Sequence, residues 1–422
     1  MKKDYCLNIA LALAFVLLGT SVLFAQDGRI PGQEATRVPL GVEARQGKLV
    51  FESKDTTFQW WFDSRIQVDG AKYFENKNEM SDGTILRRVT FAMKTVLWKD
   101  WQAEIDFDIS EAVLDMRDAF VQYNIPTINL SFKAGNFKEP FGMEELNSSR
   151  LVTFMERSAV SNALALGRRV GLSAQYYTDY GQATLGIFGH ETGTKIDKGT
   201  RDEGYSTNAR VTFAPINRHG ANLHFGAAAA FKTPDAVPDL AANTIEVKAR
   251  TETDVFDPKL LHTGDIGDVN YFNRISGELL AIQGPLYMQA EYLGSRVVRW
   301  YGKPAVRLGG AYAMLSWMVT GETRQYFVDE GEIGPIDAPI HSWGALELAA
   351  RYSICDLNDQ AAGVHGGKSN ILMLGINFYP NPNIKLMLNY GKVSLDQYAT
   401  SKGKFVGDDD HSFLQARIQV SL

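Results

Sequence analysis

The last eleven residues of the sequence, Ser412–Leu422, read SFLQARIQVSL. From Leu414 onwards apolar residues occupy every second position, and Gln, Arg, Gln and Ser occupy the positions between them. Side chains of a β-strand point alternately to its two faces, so this segment has one apolar and one polar face. We expect a strand within a sheet that separates lipid from water, which is typical of a membrane-spanning β-barrel.

Segments of this alternating type recur along most of the sequence. In 101–109, for example, Ala103, Ile105 and Phe107 alternate with acidic residues that need water beside them. There are sixteen such segments, and closed bacterial barrels require an even number of strands. We predict a 16-stranded antiparallel transmembrane β-barrel, an all-β fold with strands at 56–74, 85–98, 101–109, 115–125, 130–138, 169–180, 182–189, 205–214, 222–231, 272–283, 286–296, 306–319, 341–352, 368–379, 384–393 and 412–422.

The connections between predicted strands alternate in length. Those after even-numbered strands are mostly brief, and those after odd-numbered strands are mostly long, as at Glu139–Arg168, Lys232–Tyr271 and Ser353–Gly367. Short turns at one rim and long loops at the other distinguish an outer-membrane barrel from a soluble sandwich. The connection Thr320–Ile340 breaks this rule, and it is either an ordered periplasmic excursion or a slip in the strand count.

The N-terminus is typical of a secretion signal. Two lysines precede an apolar run at 7–18, which is followed by a small-residue ending at Ala25. An uncleaved helical anchor is the alternative, but the apolar run is shorter than the roughly 20 residues that a spanning helix needs. We therefore predict a signal peptide over 1–25, an N-terminal periplasmic lead-in over 26–55, and the barrel over 56–422, located after cleavage in the outer membrane of a Gram-negative bacterium.

Composition excludes several classes of function. The formal charge of -6 argues against general nucleic-acid binding. Cys6 lies in the predicted signal, so Cys355 has no partner and no disulfide is expected. Seven histidines show no metal-ligand spacing, and no nucleotide-binding or nucleophile motif is present. We predict no cofactor, no metal site and no catalytic residue.

The connection Glu139–Arg168 is the main candidate for a pore constriction. Its apolar residues, from Leu151 to Met155, favour folding back into the lumen as an inward third loop. Hydroxyl and guanidinium groups replace part of the hydration shell of an anion. The loop supplies such groups in Ser148, Ser149, Arg150 and Arg157, and Arg169 follows where the chain re-enters the wall. A purely structural role in salt bridges stays open for Arg157 and its neighbour Glu156.

The wall adds charges of both signs. In 85–98, strand parity directs Arg88 into the lumen and leaves Arg87 near a rim. Acidic residues share the interior, so an anion preference would come from local clustering of charge. Aromatic residues near strand ends predict interfacial girdles: Trp98, Trp101, Tyr123, Tyr176, Tyr352, Tyr379 and Tyr390.

Several stretches resemble the phosphate-selective porin O/P family. They are FDSRIQVD (Phe62–Asp69), LRRVTF (Leu86–Phe91), DMRDAFVQY (Asp115–Tyr123), GNFKEPFGMEELNSSRLVTFMER (Gly135–Arg157), EYLGSRVVRW (Glu291–Trp300), SWMVTGETRQY (Ser316–Tyr326) and GALELAARYSICD (Gly344–Asp356). The resemblance implies a sixteen-stranded outer-membrane barrel, usually a homotrimer. Its third loop narrows a water-filled channel for anions, with phosphate or polyphosphate preferred in the best-known branch.

The resemblance also implies roles for individual residues. Arg87 and Arg88 fall where that branch has wall arginines, and Asp118 matches an acidic residue of its constriction. Ser148 and Ser149 match its paired serines. Three positions before them the branch has a lysine, where this chain has Glu145.

We predict a passive outer-membrane porin that prefers anions of the phosphate or polyphosphate type, lies in outer-membrane lipid and forms a homotrimer. In this prediction Arg88, Ser148, Ser149 and Arg150 dehydrate the ion, and Asp118 keeps it from binding too tightly. The mixed lumen and Glu145 favour an alternative, a non-selective or weakly cation-preferring porin. Two other classes stay open: an outer-membrane hydrolase using loop histidines His190, His262 and His411, and an adhesion protein using the large loop Lys232–Tyr271.

Overall fold

The structure, a computed structural model, describes residues 40–45, 48–74, 76–110, 113–192, 202–237 and 239–421. The predicted signal peptide, 1–25, and positions 26–39 of the predicted lead-in lie outside the described residues. The remainder of the lead-in contains two short strands, β1 (Leu40–Arg45) and β2 (Lys48–Ser53), which form an antiparallel hairpin. β2 pairs in turn with the first long strand, where Val50 lies opposite Trp61.

The described ranges contain sixteen strands that form one closed antiparallel barrel. In chain order they are β3 (Phe58–Phe74), β4 (Gly83–Leu97), β5 (Trp101–Asp108), β6 (Asp115–Ile125), β7 (Leu130–Lys138), β8 (Arg168–Thr178), β9 (Gly181–Phe188), β10 (Ser206–Arg218), β11 (Ala221–Lys232), β14 (Val269–Gln283), β15 (Leu286–Arg299), β16 (Val306–Met318), β19 (Ala345–Asp359), β20 (Val364–Asn381), β21 (Ile384–Leu395) and β22 (His411–Ser421). The sixteen predicted strands are confirmed, with differences of several residues at some ends.

The barrel closes where its last strand meets its first. β22 pairs antiparallel with β3, from Ser412 opposite Phe74 to Ser421 opposite Arg65. Every backbone polar group of a closed barrel has a neighbouring strand to pair with, which is what a lipid environment demands.

The prediction of a long loop at Ser353–Gly367 is wrong. β19 continues to Asp359 and β20 begins at Val364, and a 3₁₀ turn at Gln360–Ala362 joins them. The alternation of buried and exposed residues along β19 continues beyond the predicted end of the strand, as the burial of Cys355 and Leu357 on its inner side shows. Here two strands extend past the predicted rim.

The barrel is apolar outside and charged inside. Leu185 and Phe213 face outwards with 65% and 54% of their surface exposed, whereas the inward-facing Arg210 and Arg351 are each only 2% exposed. Exposed apolar surface of this extent on strands matches contact with lipid. One predicted girdle residue is misplaced: Tyr379 points inwards, and its hydroxyl donates to Glu347 at 2.6 Å.

Two connections fold into the lumen. The third loop, residues 139–167, contains helices α1 (Met143–Leu146) and α2 (Ala159–Leu164). From the opposite rim comes a hairpin of β17 (Arg324–Phe327) and β18 (Glu332–Ile336), here called the lumenal hairpin. It accounts for the long connection Thr320–Ile340, so the strand count does not slip there. The large loop 233–268 carries a small two-stranded sheet, β12 (Lys248–Ala249) and β13 (Leu261–His262).

Within the described ranges, no helix is both long enough and apolar enough to cross a membrane.

Candidate pore constriction

The third loop begins with a helix whose two ends are held by polar side chains of the wall. The backbone N–H groups of Met143 and Glu144 donate to the carboxylate of Glu291 on β15, at 2.7 and 2.9 Å. At the other end, the Lys138 ammonium donates to the carbonyls of Leu146 and Asn147, at 2.8 and 3.3 Å. These side chains thus pair with backbone N–H and C=O groups that a helix leaves without intrahelical partners at its ends. These contacts fix the position of the serines that follow.

The middle of the loop binds the wall on the side of β19–β22. Phe154 and Met155 are almost fully buried there. Side chains of the wall donate to loop carbonyls: Asn377 to Thr153 at 2.8 Å, and Lys385 to Val152 at 2.7 Å. This half of the barrel is therefore filled, and open space lies on the opposite side, along β3–β10.

A cluster around Glu156 fixes the end of this segment. Arg87 binds both Glu156 oxygens at 2.9 Å, and Arg417 binds one of them at 2.8 Å. Burial alone would raise the pKa of Glu156, but the two guanidinium groups reverse this and hold that pKa well below its ordinary value. Glu156 is therefore ionised and serves as an anchor of the loop.

The lumenal hairpin packs between the third loop and the wall. Buried Arg210 of β10 donates to the carbonyls of Glu330 at 2.9 Å and Gly331 at 2.8 Å. On the loop side, the N–H of Ile333 donates to the Asn147 side chain at 3.1 Å. The hairpin and the third loop are here together called the inner wall, and residues of both border the cavity inside the barrel.

A cavity of about 780 Å³ lies between this inner wall and strands β3–β10. Its lining includes eight basic and seven acidic residues, so its formal charge is close to neutral. The lining charges are Asp63, Arg65, Lys94, Lys99, Glu104, Asp106, Arg117, Asp118, Lys133, Lys138, Arg168, Arg210, Asp329, Glu330 and Glu332.

Many of these charges cancel in pairs. Lys94 lies 3.1 Å from Glu104, and Arg168 lies 2.6 Å from Asp118. Arg65 is different: its guanidinium donates to the hydroxyls of Ser149 at 2.9 Å and Thr90 at 3.3 Å. No carboxylate of a described residue lies within 4.0 Å of it. The arrangement presents a guanidinium without an ion pair beside hydroxyl groups, which suits a hydrated or partly dehydrated anion.

Three of the nine predicted pore residues border this cavity: Asp118, Ser148 and Ser149. Arg150 lies close by, with Nη1 3.4 Å from the carboxylate of Asp63, which does border it.

The other five predicted residues lie away from the cavity. Arg87 is bound to Glu156, and Arg88 is buried and donates to Gln67 at 2.8 Å. Glu145 and Arg157 form an ion pair of 3.1 Å within the third loop. Arg169 lies 3.2 Å from Glu139 and also binds Asp235. Except for Arg88, which is hydrogen-bonded to the wall strand β3, these residues form ion pairs that attach or brace loops, as buried charges require.

The sequence prediction missed two groups of lining residues. Arg65 and Lys133 were not named as constriction residues, although the alternation of their strands directs both side chains inwards. Asp329, Glu330 and Glu332 were missed altogether, because they lie in the lumenal hairpin. The unusual length of that connection was the signal that could have found them.

Three acidic residues of the lining lie close together, but we do not infer a cation site from them. Carboxylate oxygens of Glu104, Asp106 and Asp118 lie within 4.8 Å of one another. Each carboxylate already faces a cation, since Arg117 lies 3.6 Å from Asp106 and the other two are paired as described. The alternation of signs along the wall compensates the charge without an ion.

Comparison with known proteins agrees with this architecture. Residues 60–422 match the family model described as phosphate-selective porin O and P. Porin O of Pseudomonas aeruginosa is 25% identical over 417 residues, covering 89% of this chain and 91% of that protein. The solved anion-selective porin from Comamonas acidovorans has a TM-score of 0.53 at 13% identity, over 86% of this chain and 100% of that one. OmpT of Vibrio cholerae in its trimer form has a TM-score of 0.52 at 8% identity, over 87% and 100% of the two chains.

Proposed function

Since the chain belongs to the phosphate-selective porin O and P family and is an outer-membrane porin, we propose that it lets small anions diffuse passively and prefers them to cations. The solutes of this proposal are oxyanions of the phosphate or polyphosphate type. A porin of this kind does its work by the width and the charge of its passage. We propose no catalytic role for it.

One observation carries the proposal: Arg65 borders the cavity with its guanidinium 2.9 Å from the Ser149 hydroxyl. Its positive charge has no carboxylate partner among the described residues. Lys133, on the same wall, also has no ion pair there and lies over the ring of Phe120 at 4.4 Å. An anion that passes between them gains charge-assisted hydrogen bonds in exchange for part of its hydration shell.

The paired arrangement of Glu145 supports the same proposal. In the sequence this residue favoured the cation-preferring alternative, because a lysine stands there in the best-known branch of the family. The Glu145 carboxylate lies 3.1 Å from Arg157, away from the cavity. Its charge is balanced by this ion pair, which weakens the argument for the cation-preferring alternative.

The test is the reversal potential of purified protein in a planar bilayer under a potassium chloride gradient. We expect a potential on the chloride side, and a decrease of chloride current when phosphate is added, because both anions compete for one passage. A potential on the potassium side that phosphate leaves unchanged would exclude the proposal.

A non-selective porin remains a second candidate, and a specific observation favours it. Seven acidic residues line the cavity against eight basic ones, so the mean charge is small. A non-selective porin would give a reversal potential near zero in the same measurement, whereas an anion-preferring porin would give a potential on the chloride side.

We also propose that the protein is a homotrimer embedded in outer-membrane lipid. The apolar outer face of the strands supports contact with lipid, and a relative of the same fold has a trimer form. Chemical cross-linking in native outer membranes should give a product of three chains. Cross-linked material that never exceeds one chain would contradict this assembly.

A further inference from the structure

The turn of the lumenal hairpin brings three carboxylates to the cavity. Asp329, Glu330 and Glu332 all border it. Among the described residues, none of the three has a basic nitrogen within 4.0 Å. They contrast with the acidic residues of the wall, which are paired with neighbouring cations. Their negative charge is therefore free to act on ions in the passage.

The position of these carboxylates is fixed by the backbone of the turn. Arg210 donates to two carbonyls of the turn, and its own charge is neutralised by Glu278, 2.8 Å away. Gln175 of β8 donates to the carbonyl of Asp329 at 2.7 Å. The turn is thus attached to the wall through its carbonyls, which leaves the carboxylates uncompensated.

Charges on several elements face this turn. Lys133 of β7 has no ion pair, Lys94 of β4 is paired with Glu104, and Lys138 holds the end of α1. On the hairpin side, Arg210 and Glu278 form a closed pair. Tyr326 of β17 adds a hydroxyl that meets His224 at 2.6 Å. The uncompensated charges that remain are cations on the β3–β10 wall and anions on the hairpin.

We propose that Asp329, Glu330 and Glu332 determine the ion selectivity of this channel: when ionised they oppose anions, and when protonated they release the anion preference of the opposite wall. This inference rests on the proposed function. A fixed charge beside a narrow, water-filled passage changes the local concentration of ions of both signs. The hairpin therefore makes the selectivity dependent on pH.

The pKa values of the glutamates in the turn support this dependence of the selectivity on pH. Withdrawal from bulk water, together with the charges of Glu332 and Asp329, raises the pKa of Glu330 to about 7. Withdrawal from water also raises the pKa of Glu332, against the opposing effect of Lys138 and Arg210. The turn is therefore most negative in mildly alkaline solution, and it loses charge as the pH falls through neutrality.

The test compares reversal potentials of the wild-type porin and the double variant Glu330→Gln/Glu332→Gln. In the wild type, the ratio of chloride to potassium permeability should rise by about twofold or more between roughly pH 8.5 and pH 6. In the double variant the ratio should already be high at the alkaline end and should change little. Asp179→Asn is the matched control, since this exposed carboxylate in a short turn does not border the cavity.

A charge reversal provides a second variant that does not depend on the first one folding. Glu330→Lys should raise the ratio of chloride to potassium permeability, and by more than the double variant does. If both variants keep the ratio and the pH dependence of the wild type, the inference is wrong. Failure of the proposed function has another signature: a wild-type channel that prefers potassium even at the acidic end, whatever the variants do.

Discussion

Arg417 on the last barrel strand forms a two-pronged ion pair with Asp69 on the first, with Nη2 2.6 Å from Oδ2 and Nε 2.7 Å from Oδ1. The two residues are direct partners in the register of β22 and β3. The same guanidinium donates to the Met155 carbonyl at 2.6 Å and to Glu156 at 2.8 Å. One side chain therefore joins the closure of the barrel to the position of the third loop.

Replacing Arg417 should weaken both the closure of the barrel and the attachment of the third loop. Arg417→Ala leaves the buried Asp69 without its partner, and the loss of one member of a buried pair costs about 3–5 kcal/mol. We expect the folded band on unheated gels to disappear at a lower temperature, and channels with a larger, noisier conductance. The control is Arg218→Ala, an exposed arginine at the end of β10. Equal heat resistance of the two variants would contradict this role.

Gly331 determines how closely the lumenal hairpin approaches the wall. Its φ is +66°, and an added Cβ would lie 2.8 Å from Cγ2 of Thr212. Gly331→Ala should therefore displace the turn and raise the single-channel conductance. Gly302 has the same φ of +66° but open space around it. Gly302→Ala thus carries the backbone cost of about 1 kcal/mol without the clash, and its conductance should stay that of the wild type.

The Glu156 anchor predicts how the third loop responds to acid. Because the folded-state pKa of Glu156 is depressed, its stabilisation is complete above the ordinary carboxyl pKa and is lost only as the pH falls through the lower, folded value. In high salt, which screens the lumenal charges, conductance should be constant between roughly pH 6 and pH 4.5 and should rise only in stronger acid. Glu156→Gln should show the high conductance at every pH, and Glu79→Gln, exposed in the first long loop, should not.

Arg65 should contribute more to anion selectivity than the predicted wall arginines. Arg65→Ala removes a positive charge that has no ion pair from the cavity lining, so the chloride-to-potassium permeability ratio should fall severalfold, whereas Arg65→Lys should retain most of it. Arg88→Ala is informative in the same assay, because Arg88 does not border the cavity. A larger effect from Arg88 than from Arg65 would show that the passage runs elsewhere.

The strands could be read from the sequence because their signal is local. Alternation of apolar and polar residues identified sixteen strands and assigned most side chains to lipid or to lumen, and loop lengths identified the two rims. The misplaced Tyr379 shows the limit of this signal. Its position near a strand end suggested a girdle, but parity places it inside, where it donates to Glu347.

The constriction was predicted less completely, because burial and pairing decide whether a lumenal charge acts on an ion. Ser148, Ser149 and Asp118, to which the resemblance to the family gave a constriction role, border the cavity; that role stays a prediction. Arg87 and Glu145 do not, since each is bound to an opposite charge of the third loop. Parity gives the direction of a side chain but not its partner.

The sequence by itself determined a closed barrel with a lipid-facing exterior and a long third loop, since a period of two residues needs only neighbours in the chain. The tertiary structure alone decided which charges remain uncompensated. Arg65 meets Ser149 across 84 positions, and Arg417 meets Asp69 across 348. The lumenal hairpin reaches the cavity only because the folded wall holds its turn. Contacts between such distant residues arise from closure of the barrel, which no local pattern encodes.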